Sequence, residues 1–228
     1  MEADQSHDRI LPPLVIIGGS GHAKVVADIL REVREFRLVG YVAQSAGPPL
    51  LEEIPCLGTD DCLRRLRNEG VRHAFVAVGH NASRLRLSRL LAAMDFEMPS
   101  AISAGAIVSA TARIGQGVAL MPGAVIAACA TICDFAIVNT RASIDHDSVV
   151  GIGAHVAPGV SACGNVTIGE LAFVGAGAVL VPGVSVGPRA KVGAGAVVIR
   201  DVPADATAVG VPARIVRQGY APAAPIST

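Results

Sequence analysis

From Ile102 onward, every sixth residue is aliphatic. The series runs Ile102, Val108, Ile114, Leu120, Ile126, Ile132, Val138, Ile144, Val150, Val156, Ala162, Ile168, Val174, Leu180, Val186, Val192, Val198, and Ala162 is its single departure from Ile, Leu or Val. Four residues after each stands a small residue (Ala, Ser or Val), as at Ala106, Ala142, Ser148 and Ala196. Nothing is inserted between the ends of the series. A period of six is neither the 3.6 of a helix nor the 2 of a simple strand, and it outranks both. It predicts a solenoid in which one aliphatic side chain per hexad points inward and stacks on its counterpart in the next coil, with the small residue at the turn. Three hexads close one triangular coil of 18 residues, giving just over five coils. Stacked coils cover each other's strand edges, so only the two ends need protection. The region before Ile102 is expected over one end, and the segment after Val198 over the other.

Composition narrows the function classes. Hydrophobic residues make up 51% of the 228, yet aromatics are 3% and Trp is absent, which suits a wall of small side chains. Lys+Arg and Asp+Glu are 19 each. A nucleic-acid binder normally carries a basic excess, and this chain has none. The opening MEADQSHDRI has no apolar core of a signal peptide. The five cysteines (Cys56, Cys62, Cys129, Cys133, Cys163) are odd in number and lack CxxC spacing, which reads as reduced thiols in a cytoplasmic protein. Residues 117–133 carry no charge, but they fall short of the roughly 20 residues of a membrane span and contain Pro122 and Gly123. No membrane insertion is expected.

Residues 14–98 alternate strand and helix signals. Strands are expected at 14–19, 38–42 and 73–78, and helices at 23–34, from Thr59 to about Gly70, and from a cap at Asn81 through Leu85, Leu90 and Leu91. Strand, glycine turn and helix describe half of a Rossmann-type unit. The turn, GGSGHAK at 18–24, has Lys24 where GxGxxG has its third glycine, and it lacks the GK[ST] of a P-loop. A generic NAD site is therefore weakly supported. The glycines still admit a ligand to the backbone, and the following helix offers N–H groups to a phosphate. A turn that only packs is the alternative.

The hexad run, with GVPAR at 210–214, resembles the hexapeptide-repeat acyltransferases, whose coil is left-handed against the usual crossover preference. A GxSGHxK turn followed by such a run resembles the bacterial acetyltransferases of nucleotide-linked amino-sugar and sialic-acid pathways, including the bacillosamine- and perosamine-pathway N-acetyltransferases. The resemblance covers about 14–217. It implies an α/β Rossmann-like N-terminal domain (14–100) that holds a sugar nucleotide, a left-handed parallel β-helix acetyltransferase domain (101–217), and flexible tails at 1–13 and 218–228. It also implies sugar-nucleotide contacts at Ser20, Gly21, His22, Ala43, Gln44 and Gly79. That family commonly has acidic residues after the second strand, where this chain has Ala43 and Gln44, so the base, UDP- or GDP-linked, stays open.

Acetyl transfer from a thioester to an amine needs a proton acceptor, and histidine ionises near working pH. His7, His22, His73, His80, His146 and His155 are the candidates. His146, two residues past the inward Ile144, has no packing reason to be there. Its NT…IDHD context matches the family's catalytic segment, which implies His146 as general base with Asp147 orienting it; Asp145 competes for the ring. His155, in GIGAHVAPG, matches a family contact to the acetyl group, or is a satisfied corner histidine. Ala176 and Ala194 match family CoA contacts. They differ by 18 and share a face, whereas His146 falls on another. Base and acetyl-CoA then meet between subunits, which implies a homotrimer with three clefts.

The γ-class carbonic anhydrases share the helix, but their zinc takes three histidines. Only His146 and His155 lie in the run, and Cys129 and Cys133 read as wall residues, so no metal is expected. The leading function is N-acetylation of a nucleotide-linked 4-amino-4,6-dideoxy sugar. O-acetylation of sialic acid or a sugar hydroxyl is the alternative, and a non-catalytic sugar-nucleotide-binding protein the second alternative.

Overall fold

The computed structural model describes residues 11–45 and 47–217. The tail at 218–228, most of that at 1–13, and His7 lie outside the described residues.

The front region is a parallel sheet of four strands, β1 (Pro13–Ile17), β2 (Arg37–Val42), β3 (Cys56–Gly58) and β4 (His73–Val76), in the order β3-β2-β1-β4. Helices α1 (Gly21–Val33), α2 (Leu63–Asn68) and α3 (Asn81–Ala92) accompany it. Short apolar β1 is buried, with Leu14, Val15 and Ile16 fully covered, as a central parallel strand requires. The short β3 has no clear sequence signature and was not expected. Thr59 precedes a 3₁₀ turn (Asp60–Cys62) rather than capping an α-helix, and its hydroxyl makes no cap bond. His80, not Asn81, caps α3, the Ser83 N–H donating to His80 Nδ1.

From Ala101 the chain winds into three parallel sheets, one per face of a triangular coil. The first face begins at Ala101–Ile102, the second at Ile107–Val108 and the third at Arg113–Ile114. Each two-residue strand from Ala119–Leu120 to Val179–Leu180 pairs with those 18 residues before and after it, as Ser143 does with Val125 and Ser161. The expected inward series is buried from Leu120 to Val198. Each Ile, Leu or Val of the series contributes about 1.5–3 kcal/mol relative to exposure.

Two expectations are corrected. The small residue of each hexad is not the bend itself. It lies one position past the two-residue turn and is buried, as at Ala124, Ala142 and Ser148. The bend comes from the residue before it, which is left-handed: Cys129, Phe135, Arg141, Asp147, Asn165, Leu171 and Arg189 have φ between 56° and 59°. Small side chains follow because the corners of the triangle are narrow inside.

Nor does the front region cap the end of the solenoid. It packs against the outer side of the first face, where Ala101, Ala119 and Ile137 join the core of Leu14, Ile16 and Ala23. The inward residues of the first coil, Ile102, Val108 and Ile114, are only partly buried. The opposite end is covered as expected: Val202, Ala206 and Ala208 are buried, and Thr207–Val209 extends the first face before Arg214–Arg217 returns antiparallel.

Candidate active site

His146 and Asp147 form the turn between the second and third faces. His146 Nδ1 lies 2.9 Å from Asp147 Oδ2. A carboxylate only accepts, so Nδ1 carries the proton and Nε2 keeps its lone pair. Asp145 does not compete for the ring, because its Oδ1 accepts from the His146 backbone N–H at 2.8 Å. The two carboxylates thus divide the work, one holding the turn and the other the imidazole. The hydrogen bond to Asp147, helped by the Asp145 charge, raises the His146 pKa above the usual histidine value.

The ring rests on the next coil. A Cβ at Gly164 would come within 2.5 Å of His146 Nε2, so the glycine leaves room for the ring in this position, and any side chain there would displace it. Gly164 lies one coil of 18 residues along the same corner, and the column is tied by Asn165 N–H donating to His146 O at 2.9 Å. Below the turn, buried Ser148 donates to Cys163 O and accepts from Val166 N–H. Gly164 was missed; its signal was a glycine at an exact coil offset from the candidate base.

Ala176 and Ala194 occupy a different corner, between the first and second faces, with Gly195 N–H donating to Ala176 O at 2.8 Å. One chain does not bring that corner to His146. His155 is on the first face, in the strand His155–Val156, rather than in a corner. Its Nδ1–H donates to Gly79 O (3.3 Å) and Asn139 Nδ2 donates to its Nε2 (3.2 Å). Burial, then the Arg84 charge, lowers its pKa to about 4, so it stays neutral. Both nitrogens are engaged, and the ring meets Phe173 edge-on at 5.3 Å.

A cavity of about 290 Å³ opens at the strand ends of the front sheet. Ser20, Ala43, Gln44 and Gly79 line it, together with Gly18 and Gly19. Gly18 has φ +126°, and a Cβ there would strike Ala77 O at 2.6 Å, so the turn needs glycine twice over. Ser20 begins α1 without using its hydroxyl as a cap, and the first turn holds no acidic residue. That leaves the helix N-terminus open to an anion. Gly21 and His22 are not among the lining residues. His22 Nε2 is buried without a hydrogen-bond partner, and burial, then the neighbouring His155 and Arg84, lowers its pKa to about 4.

Arg84 was not singled out from sequence, although it falls on the α3 stripe of Leu87 and Leu91. It is 1% exposed and binds no carboxylate. Its Nε donates to Phe135 O (2.8 Å), Nη1 to Val78 O (2.9 Å) and Gly79 O (3.1 Å), and Nη2 to Gly153 O (2.7 Å). Asn81 Nδ2 adds donors to Leu171 O and Ala172 O. These bonds lock the Gly79 end of the cavity onto the solenoid wall. Among the described residues, no group of three or more His, Cys, Asp or Glu is placed to hold a metal ion. No described helix is long and apolar enough to cross a membrane.

A triangular parallel solenoid carrying an exposed His–Asp pair, with a phosphate-ready cavity beside it, is the frame of a β-helical acyltransferase. Comparison with known proteins agrees. Residues 13–91 match the PglD N-terminal domain, and residues 165–200 match the bacterial transferase hexapeptide (six repeats). PerB from Caulobacter crescentus, solved with CoA and GDP-perosamine, is 43% identical over 89% of this chain and 96% of its own, with a TM-score of 0.86. The acetyltransferase domain of PglB from Neisseria gonorrhoeae is 34% identical over 90% of this chain and 99% of its own (TM-score 0.84). WeeI from Acinetobacter baumannii is 27% identical over 89% and 99% (TM-score 0.79). The chain belongs to the hexapeptide-repeat, left-handed β-helix acetyltransferases that carry a PglD-type N-terminal domain.

Proposed function

We propose that the chain transfers the acetyl group of acetyl-CoA to the amino group of a nucleotide-linked 4-amino-4,6-dideoxy sugar, with His146 as general base. The His146–Asp147 pair carries this reading: a tautomer held with Nε2 unprotonated, raised in basicity, on an exposed corner. Nε2 takes a proton from the substrate amine as its nitrogen attacks the thioester carbonyl. The tetrahedral intermediate collapses, the C–S bond breaks, and the imidazolium returns the proton to the CoA sulfur. Support also comes from the relative solved with CoA and GDP-perosamine, for which structures exist with one histidine changed to asparagine or to alanine.

The sugar nucleotide takes the front cavity, with its diphosphate at Ser20 and the α1 N-terminus and Arg86 as a nearby cation. Ala43, Gln44 and Gly79 complete the lining contacts, Gly21 contributes through the α1 N-terminus that it begins, and His22 acts from the buried junction behind it. CoA follows the Ala176–Ala194 corner. The Asn139 side chain that holds His155 precedes Thr140 in the same column, which Gly159 N–H bonds to Thr140 O. His155 therefore acts as a neutral wall beside the acetyl group. Because base and CoA corner are separated by the second face, the active species is a homotrimer in which neighbours complete each cleft; sedimentation equilibrium finding an active monomer would refute this. The front unit spans 14–100 and the β-helix 101–217. Five unpaired cysteines support a cytoplasmic setting.

The deciding assay compares kcat/KM for UDP- and GDP-linked 4-amino-4,6-dideoxy sugars with that for sialic acid. A clear preference for the nucleotide-linked amine is expected. A preference for sialic acid would transfer the function to O-acetylation.

A further inference from the structure

The front cavity has a direction. Its lining loops follow the sheet order: Asp60 after β3, Ala43 and Gln44 after β2, Gly18 to Ser20 after β1, and Gly79 after β4. The Gly79 end is fastened to the β-helix through Arg84 and His155. A sugar nucleotide whose sugar points toward the β-helix and whose diphosphate meets α1 therefore has its base between Gln44 and Asp60. We infer that Asp60 reads that base and selects guanine, an inference that rests on the nucleotide-sugar reading above.

Asp60 opens the 3₁₀ turn and is the one carboxylate among the described residues that line the cavity. Its carboxylate has no hydrogen-bond or ion-pair partner among the described residues, whereas the adjacent Asp61 accepts from Thr59 Oγ1 at 3.4 Å. An ionised carboxylate only accepts hydrogen bonds. Guanine presents two neighbouring donors, N1–H and N2–H, which the two oxygens of Asp60 can accept together. Uracil presents one donor, N3–H, between two carbonyl oxygens that a carboxylate repels. The Gln44 amide supplies the donor that guanine O6 needs. The acidic residue that the chain lacks after β2 is thus provided from the neighbouring strand end.

The test is calorimetric titration of the full-length protein with GDP and with UDP. GDP should bind roughly 10–100-fold more tightly, the discrimination expected of one bidentate pair. Asp60→Asn is isosteric and replaces one acceptor by a donor, matching the N3–H and O4 of uracil. It should abolish or reverse the ratio, and Asp60→Ala should level it, both with unchanged melting temperatures. Asp61→Asn should leave the ratio intact. Equal binding by the native protein, tighter UDP binding, or an Asp60→Asn ratio that stays native would each overturn the inference. If GDP preference and its loss hold while no GDP-linked amino sugar is acetylated, the base reading stands and the acceptor reading falls.

Discussion

The solenoid and the front region reach order by different routes. In the solenoid every hexad repeats the same decision, and each inward side chain finds its partner 18 residues away, so register follows from local sequence alone. In the front region the sheet order β3-β2-β1-β4 places strands beside partners that no period announces. The periodic half carries the proposed general base, His146, on its outside, and the aperiodic half builds the cavity. Function therefore depends on how firmly the second is fastened to the first, and that task falls to Arg84 and Asn81.

The largest effect should come from the solenoid's exposed corner. His146→Ala should lower kcat by about 10²–10⁴-fold, the usual loss of a general base, without moving the melting temperature, since the side chain packs in no core. A variant keeping more than a tenth of native kcat would remove His146 from the chemistry.

The junction should respond in the opposite sense, through stability. Arg84→Ala leaves carbonyls of both regions (Val78 O, Gly79 O, Phe135 O, Gly153 O) without their donor, and at about 1–3 kcal/mol for each acceptor left buried and unpaired it should cost roughly 3–5 kcal/mol in all. That corresponds to a fall of roughly 10 °C in Tm. A change within 2 °C (about 1 kcal/mol) would show that the two halves hold together without it.

Gly164→Ala sharpens the contrast between wall and site. The three atoms nearest the added methyl all belong to the His146 ring. A displaced ring should reduce kcat by about 10–100-fold, since misplacement of about 1 Å has that scale, with Tm nearly unchanged. Unaltered kcat would mean that the ring is free to shift.

The smallest effect concerns pH. His146 must be neutral to accept a proton, and Asp147 raises its pKa, so kcat/KM should rise with pH through an ionisation above the ordinary histidine value of about 6.5. Asp147→Asn removes that stabilisation of the imidazolium and should move the midpoint down. A midpoint unmoved in the variant would show that Asp147 does not set the basicity.

The chain's own order of residues determined the period, the coil of 18, the buried series and the exposure of His146, because each depends on neighbours at a constant offset. The glycine turn and helix of the front region were legible for the same local reason. Tertiary structure alone decided the rest. Arg84 became a buried clamp only when α3 met the solenoid wall, and His155 gained its neutral state from burial at that junction and from the Arg84 charge brought beside it. Which carboxylate holds His146 depended on a left-handed turn at Asp147, φ 57°, that places one carboxyl on the ring and leaves the other to the backbone. Asp60 joined the cavity through a strand too short to read. Repetition makes contacts predictable from spacing; contacts between unlike elements have no spacing to announce them, and they exist only once the chain has packed.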